Sequence, residues 1–206
     1  MPVVPYSTTP VVPPGRMSAQ PQPTLVAGDL VLRPWTPEDW PVVVAAHADP
    51  AIRYWHTRAL TEQAEAAEWI AQRSGAWAEE TGAEWVVEDE SGVVGRVAVY
   101  HLDLHDGVGE IGYWVLPEAR GRGVAARAAA AGIDWAFGEL GIERVQLEHS
   151  ALNTASCRVA QRLDMSLEGV LRAHLLHFDG RHDAHLHGRL APGVRPVDHA
   201  DPNSVT

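Results

Sequence analysis

The sequence predicts one domain of the mixed α/β class, and three observations lead to this prediction. Segments in which apolar residues alternate, as in strands, are interspersed with segments in which they recur at helical spacing. A strand-like run, a glycine-bearing turn and an alanine-rich run follow one another directly over residues 109–137. Near the end of the chain, Asp179-Gly180 separates two further strand-like runs, which is a strong signal for a β-hairpin.

The composition excludes several classes of protein. The chain has 206 residues, 46% of them hydrophobic, so it can bury a full core, and no apolar run approaches the ~20 residues of a membrane span. We expect no secretory signal, and the single cysteine, Cys157, excludes an internal disulfide and suits a reducing cytoplasm. The formal net charge of −11 argues against nucleic-acid binding and favours cationic ligands such as amines.

The two ends of the chain differ in composition from its middle. Residues 1–24 are rich in proline and small polar residues, which bury little surface, so we expect a disordered N-terminal arm there. A Pro-x-x-Pro spacing inside this arm is a poor argument for docking to a partner. The folded domain is expected over residues 25–190, and a loose C-terminal tail over residues 191–206.

Capping and turn signals place the elements of the first half. Pro34 ends a short strand, and Thr36 can cap a helix that has Pro37 at its first position. Thr61 opens a second helix by the same logic, and the turn at residues 89–92 joins two strands. The predicted elements are the strand Leu30–Arg33, helices that end near Ala48 and Trp77, and the strands Glu84–Glu88 and Val93–Tyr100.

The second half continues with a central strand that alternates up to Leu116. Pro117 ends this strand because proline has no backbone N–H to donate, and Gly138 and Gly141 stop the helix that follows. Asn153 or Thr154 then caps another helix. The predicted elements are the helix Ala125–Phe137, the strand Arg144–Glu148, a helix to about Leu163, and the strands Gly169–Phe178 and Arg181–Leu190.

The terminal hairpin predicts a register and two faces. A two-residue turn at Asp179-Gly180 pairs Phe178 with Arg181 and, further along, His174 with His185. One face is then mostly polar, and the other packs on the core. The polar face holds Arg172, His174, Leu176, Asp183, His185 and His187, and the core face holds Leu171, Ala173, Leu175, Ala184 and Leu186.

The glycine turn after the central strand is predicted to bind an anion such as a pyrophosphate. Gly121 and Gly123 permit positive φ or close approach, Arg120 and Arg122 offer charged bidentate donors, and a helix N-terminus follows. A lysine-bearing P-loop is excluded, because the chain contains no lysine. A dinucleotide-binding fold would need a different glycine spacing, and a turn of purely structural importance is the remaining alternative.

The pattern Arg120-x-x-Gly123-x-Ala125, after a strand ending Gly-Tyr-Trp-Val, resembles the acetyl-CoA-binding motif of the GNAT N-acetyltransferases. The order of the predicted elements from about Leu25 to Leu190 is also that of the family. The resemblance implies a mostly antiparallel sheet of six to seven strands flanked by about four helices, and acetyl-CoA as co-substrate. The residues that it implies for cofactor binding are Val115, Leu116, Arg120, Gly121, Arg122, Gly123, Val124, Ala125, Ala126, Asn153 and Ser156.

A second segment, Asn153-Thr154-Ala155-Ser156, resembles the Asn-x-x-Ser element of the branch that includes ribosomal-protein N-terminal (alanine/serine) acetyltransferases. The resemblance implies that Asn153 contacts the pantetheine arm and that Ser156 protonates or hydrogen-bonds the leaving thiolate. Helix capping is the alternative for both residues. The helix ends in Leu163-Asp164-Met165 where the family usually has Leu-Gly-Phe, which leaves the shape of the acceptor site open.

Acetyl transfer needs a neutral amine, a polarised thioester carbonyl and a route for the amine proton. By the resemblance, a backbone N–H near Val115 or Leu116 polarises the carbonyl. Glu110 and His174 are the two candidates for the base, and proton loss through ordered water is a third route. With Ser156 as the acid, the predicted catalytic residues are Ser156, Glu110 and His174.

The terminal hairpin offers a set of residues that could bind a metal ion. His174, Asp183, His185 and His187 share the polar face, but their spacing matches no zinc pattern, so no metal is predicted. Cys157 is expected to pack, because direct transfer needs no cysteine nucleophile.

The sequence thus predicts a cytoplasmic, acetyl-CoA-dependent N-acetyltransferase in which a primary amine attacks the thioester directly. The acceptor is a protein N-terminus or a small molecule, and Tyr54 and Trp55 are expected to form an aromatic wall beside it. The alternative is a non-catalytic domain that binds or senses acyl-CoA. No nucleic-acid or membrane partner is expected, and a homodimer is left open.

Overall fold

The computed structural model describes residues 8–56 and 59–197. These residues form five α-helices and eight strands. The helices are α1 Trp40–Ala48, α2 Pro50–His56, α3 Gln63–Ala78, α4 Val124–Trp135 and α5 Thr154–Arg162. The strands are β1 Leu25–Ala27, β2 Leu30–Pro34, β3 Gly82–Asp89, β4 Gly92–Asp103, β5 Val108–Val115, β6 Arg144–Ser150, β7 Ser166–His177 and β8 Gly180–Leu190. None of the described helices is long and apolar enough to cross a membrane.

All eight strands form one sheet in the order β1-β2-β3-β4-β5-β6-β8-β7. Every neighbouring pair is antiparallel except β5 and β6, which are parallel. This confirms the predicted mixed α/β domain with a mostly antiparallel sheet. The sheet has eight strands rather than six to seven and five helices rather than about four, because the short strand β1 and the helix α2 were not predicted.

The parallel pair at the centre of the sheet is short. Its pairing runs only from Val108 opposite Arg144 to Glu110 opposite Gln146. Beyond this point β5 stays paired with β4 and β6 stays paired with β8, so the two strands diverge towards their C-terminal ends. The sheet therefore contains a gap between β5 and β6.

The two faces of the sheet are covered by different helices. On β3, Trp85 and Val87 point into a core that is shared with α4 and α5, whereas Val86 points into a second core formed with α1, α2 and α3. The alternation follows from the two-residue period of a strand. Both faces of the central strands are therefore buried, which explains their nearly continuous apolar sequence.

The helix α2 occupies a stretch that the sequence analysis treats as a loop between two helices. Its start is marked by Asp49, whose Oδ1 accepts a hydrogen bond from the Ile52 N–H at 2.8 Å, and by Pro50 in its first turn. An aspartate followed by proline is a favourable helix start. Tyr54 and Trp55 consequently lie on a helix, not on a loop.

The terminal hairpin has a different register from the predicted one. His177 pairs with Gly180, so Phe178 and Asp179 form the turn, and Val170 rather than His174 lies opposite His185. Two irregularities in β7 shift the register further, and Ala173 within one of them has a φ of 50°. Such bulges insert extra residues into one strand, and the pattern of apolar residues in β7 does not reveal them.

The predicted faces of this hairpin change with the register. Ala184 is fully buried and Leu176 is 66% exposed, as predicted, but His187 from the predicted polar face is only 5% exposed, and Ala173 from the predicted core face is exposed. His187 therefore belongs to the covered side of the sheet and does not share a solvated face with His174, which is exposed. The predicted grouping of His174, Asp183, His185 and His187 is wrong for this reason.

The predicted disordered arm is wrong for residues 8–24, and residues 1–7 lie outside the described part. Val12 and Met17 are each 1% exposed and belong to the core that contains α4. The Glu80 carboxylate accepts hydrogen bonds from the N–H groups of Gly15 and Met17, both at 2.6 Å. Composition does not show that an irregular segment fills a groove and has its N–H groups satisfied by a distant carboxylate.

The predicted C-terminal tail is described only over residues 191–197, which contain a turn and no helix or strand. The Ala191 N–H donates to the Glu143 carbonyl at 2.8 Å, which fixes the start of this segment to the end of the sheet. Residues 198–206 of the predicted tail lie outside the described part.

The packing of the N-terminal segment is tested by replacing Met17 with alanine. We expect Met17→Ala to lower the free energy of unfolding by about 2–5 kcal/mol, because it leaves a cavity at a fully buried position. Val26→Ala, at a residue that is 71% exposed, serves as the control. It should lower the free energy of unfolding by only a few tenths of the effect of Met17→Ala. Denaturant unfolding measures both, and equal effects would contradict the packing of Met17.

Candidate active site at the gap between two strands

Two cavities of about 500 Å³ each meet at the gap between β5 and β6. The first, called the cradle cavity, is bounded by the glycine turn and by the first turns of α4 and α5. The second, called the hairpin cavity, is bounded by β5, β6 and the C-terminal part of β7. Both are of ordinary size for a small-molecule site. The residues that line both cavities are Trp55, His56, Tyr113, Asn153 and Ser156.

The cradle cavity brings together most of the predicted cofactor-binding residues. Those that line it are Val115, Arg120, Gly121, Gly123, Val124, Ala125, Ala126, Asn153 and Ser156. Gly121 and Gly123 have φ values of 77° and 75°, as their predicted role in the turn requires. Gly123 is the N-cap of α4, so the N–H groups of the first helical turn face this cavity without intrahelical partners. The geometry is that of an anion site at a helix N-terminus.

The two arginines of the glycine turn are already engaged with acidic residues. Arg120 Nη2 lies 2.5 Å from Asp49 Oδ1, and its Nε donates to the Val115 carbonyl at 3.2 Å. Arg122 Nη2 lies 2.6 Å from Asp89 Oδ2, and Arg122 does not line the cradle cavity. Arg122 therefore connects the turn to the end of β3, and its contact with the cofactor stays a prediction.

Two cations that the sequence analysis does not name line the cradle cavity. Arg158 and Arg162 lie four residues apart on α5, so both project to the same side of that helix. They supply the positive charge that Arg122 does not bring to the cavity. The i, i+4 spacing of arginines after Asn153 was the only signal in the sequence.

Val115, rather than Leu116, is placed to donate a backbone hydrogen bond at the gap. The Leu116 N–H donates to the Val94 carbonyl at 2.9 Å, so this group is used within the β4–β5 ladder, and Leu116 does not line the cradle cavity. Hydrogen bonding alternates in direction along an antiparallel strand. The Val115 N–H therefore points to the opposite side, into the gap towards β6.

Asn153 and Ser156 occupy the junction of the two cavities. Asn153 is the N-cap of α5, and its Oδ1 accepts a hydrogen bond from the Ser156 N–H at 3.2 Å. Asn153 therefore caps the helix, and Asn153 and Ser156 also line both cavities. The Ser156 side chain lies beside the buried Tyr113 hydroxyl, and burial raises the pKa of Tyr113 to about 12. Tyr113 therefore keeps its proton at neutral pH.

The hairpin cavity contains two carboxylates on neighbouring strands. Glu110 Oε1 accepts a hydrogen bond from the Tyr100 hydroxyl at 2.5 Å, and its Oε2 lies 3.2 Å from His101 Nδ1. Glu148, which the sequence analysis did not name as a site residue, lies on β6 with its Oε1 3.5 Å from His174 Nε2. Both predicted base candidates, Glu110 and His174, are therefore at this cavity, and Glu148 joins them.

The two carboxylates differ in their surroundings. Burial raises the pKa of Glu148, the neighbouring His174 lowers it in part, and Glu110 raises it further. Such a carboxyl group is a better proton acceptor than an exposed glutamate. No local pattern marks Glu148, because it becomes a site residue only where β6 leaves β5.

Aromatic residues and a neutral histidine close the site on the side of α2. Trp55 lines both cavities, whereas Tyr54 donates its hydroxyl to Asp179 Oδ2 at 2.8 Å and contacts the hairpin tip. Burial, together with Arg96 and His47, lowers the pKa of His56 to about 4. His56 is therefore neutral at the pH at which an amine would react.

The comparisons with known proteins agree with this geometry. The profile described as Acetyltransferase (GNAT) domain matches residues 29–166. The chain is 25% identical over 173 residues to an uncharacterized N-acetyltransferase of Bacillus subtilis, YoaA, and the match covers 82% of this chain and 98% of the relative.

Solved structures share the fold. A ribosomal-protein-S5-alanine acetyltransferase from Vibrio fischeri superposes with a TM-score of 0.75 at 18% identity, covering 85% of this chain and 100% of that chain. RimJ from Mycobacterium smegmatis, in complex with CoA-disulfide, superposes with a TM-score of 0.74 at 21% identity, covering 84% and 88% of the two chains.

The conformation of the glycine turn is tested by one substitution and a matched control. We expect Gly123→Ala to lower the free energy of unfolding by about 1–2 kcal/mol, because a Cβ disfavours the left-handed conformation of this N-cap. Gly75→Ala, inside α3 and in open space, should instead raise it by about 0.5–1 kcal/mol. Denaturant unfolding compares them, and a stabilising Gly123→Ala would contradict the observed turn.

Proposed function

The chain belongs to the GNAT acetyltransferase family and is an N-acetyltransferase with acetyl-CoA as its co-substrate, and we propose that it transfers the acetyl group directly to a primary amine held in the hairpin cavity. The observation that carries this proposal is the meeting of two cavities at the gap between β5 and β6. One cavity has an anion-binding helix N-terminus, and the other has two carboxylates. A thioester and an amine can therefore approach each other from the two sides.

The cradle cavity fits acetyl-CoA by its chemistry. The N–H groups from Gly121 to Ala126 suit the pyrophosphate, and Arg158 and Arg162 suit the remaining phosphate charge. The pantetheine arm would then pass Asn153 and bring the thioester to the gap. There the Val115 N–H is oriented to polarise the carbonyl.

Side chains that line the two cavities would accept and donate the protons of the reaction. A new C–N bond forms between the amine and the acetyl carbon, and the C–S bond to CoA breaks. Glu148, with His174 beside it, would accept the amine proton, and Ser156, backed by the protonated Tyr113, would donate to the leaving thiolate. Glu110 is held by Tyr100 and His101, and it is the second candidate for the base.

The acceptor is proposed to be a cationic amine that loses its proton inside the site. Glu110 and Glu148 give the hairpin cavity a negative charge, and Trp55 and Tyr100 give it aromatic walls, which together attract an ammonium group. The α-amine of a protein N-terminus is the first candidate, because a structural relative is named as an acetyltransferase of ribosomal-protein alanine. A small-molecule amine is the second candidate.

The cofactor site is tested by calorimetric titration with acetyl-CoA. We expect the Arg158→Ala, Arg162→Ala double variant to bind about 100-fold more weakly or worse, because each of the two lost charged hydrogen bonds removes about 1.5–3 kcal/mol. Arg172→Ala, an exposed position on β7, is the control and should bind as the native protein does. An unchanged Kd in the double variant would remove the two arginines from the cofactor site.

The base is tested by the pH dependence of kcat/KM with a peptide and a small amine as acceptors. The pKa of Glu148 is raised, so the native rate should fall as the pH drops through this raised pKa, where the base becomes protonated. Glu148→Gln should lower kcat by about 10²–10⁴-fold and remove this acidic limb. The exposed Glu90→Gln serves as control.

The same series distinguishes the two carboxylates. If Glu110→Gln removes the acidic limb and Glu148→Gln keeps it, Glu110 is the base. If both variants keep the limb and the rate, the proton leaves through water, and neither assignment holds.

A further inference from the structure

Three histidines and the single cysteine form a cluster beside the active site. His149 on β6 lies directly opposite His185 on β8, and His187 lies two residues along on the same face of β8. Cys157, in the second turn of the proposed CoA-binding helix α5, covers this face, with its Sγ 3.3 Å from His185 Nδ1. One ligand atom from each of the four residues lies within 4.8 Å of all the others.

If these residues were only packed core side chains, some of their buried polar atoms would lack hydrogen-bond partners. His149 is 7% exposed and His187 is 5% exposed. Within the described residues, His149 Nε2 has no hydrogen-bond partner, and the His187 ring interacts with the Met165 backbone without a hydrogen bond of good geometry. A buried polar atom without a hydrogen-bond partner is costly, and such atoms are rare in folded proteins. Incompletely satisfied nitrogens on two neighbouring histidines, with a thiol beside them, indicate a site that a ligand would complete.

The hydrogen bonding of His149 prepares one nitrogen for a metal ion. Its Nδ1 lies 2.8 Å from the Ser150 carbonyl, and because a carbonyl only accepts, Nδ1 must carry the proton. The lone pair is then on Nε2, the atom that has no partner. At metal sites, the ring N–H that does not face the metal commonly donates to a carboxylate, a backbone carbonyl or a water. This hydrogen bond fixes the tautomer and the ring orientation.

We propose that His149, Cys157, His185 and His187 bind one zinc ion in a closed, four-coordinate site. Zinc bonds of about 2.0–2.1 Å to nitrogen and about 2.3 Å to sulfur place tetrahedral ligand atoms roughly 3.3–3.6 Å apart. The Cys157–His185 separation already has this value, and the remaining separations, all within 4.8 Å, need to shorten by about 1.5 Å at most. A set of one thiolate and three imidazoles suits zinc, and four protein ligands leave no position open for catalysis.

The site would connect three elements that the catalytic geometry depends on. Its ligands come from β6, β8 and α5, and α5 carries Asn153 and Ser156 at the junction of the two cavities. Cys157 follows Ser156 directly in the sequence. Zinc would therefore hold the N-terminal turn of α5 against the splayed end of β6.

The test is metal binding by the full chain after treatment with a chelator. We expect one equivalent of zinc per chain by elemental analysis after readdition and dialysis. Cobalt in place of zinc should give the visible bands of a four-coordinate ion and a thiolate-to-cobalt charge-transfer band. Cys157→Ser should abolish that band and weaken zinc binding by about 100-fold or more, beyond the effect of losing an outer hydrogen-bond partner.

Two variants separate this cluster from the grouping that the sequence suggested. His185→Asn should lose zinc, whereas His174→Asn, a histidine of the same hairpin outside the cluster, should retain one equivalent. If His185→Asn fails to fold, Cys157→Ala at a half-buried helix position provides the same comparison. Loss of zinc in His174→Asn, retention in Cys157→Ala, or no stoichiometric zinc in the native protein would overturn the proposal, and none of these outcomes depends on acetyl transfer.

Discussion

The divergence of β5 from β6 is the constraint on which the rest of the structure depends. A strand that leaves its neighbour exposes N–H and C=O groups that must find other partners. Here each strand is secured on its other side, β5 by β4 and β6 by β8, so the sheet stays intact while the gap opens. The backbone freed on the gap side, such as the Val115 N–H, then becomes available to a substrate.

The gap also separates opposite charges. The helices α4 and α5 both begin just after the C-terminal ends of the two parallel strands, so their positive N-terminal ends point to the same edge. The carboxylates Glu110 and Glu148 lie on the other side of the gap, in the hairpin cavity. In the proposed reaction, a polyanionic cofactor and a cationic amine would thereby be directed to different cavities, and only the reacting groups would meet.

The sequence predicted the part of this arrangement that is encoded locally. The glycine turn, the cap of α5 at Asn153 and the central strand depend on residues that are neighbours in the chain, and all were placed correctly. Glu148 and the packed segment around Met17 depend on which distant elements meet, so no local pattern revealed them. The helix α2 lies between these two cases. Its Asp49-Pro50 start is a local signal in the sequence, but the stretch was predicted as a loop.

The terminal hairpin shows how one register decides the chemistry of several side chains. In the predicted register His174 would lie opposite His185, and both would share the polar face with His187. The irregularities in β7 place Val170 opposite His185 instead, so His174 reaches Glu148 in the hairpin cavity while His185 and His187 lie against Cys157. Because side chains alternate along a strand, extra residues in β7 change the partners of its residues while β8 keeps its pairing with β6. The bulged strand β7 thus directs His174 to the hairpin cavity, while His185 and His187 on β8 lie in the cluster beneath α5.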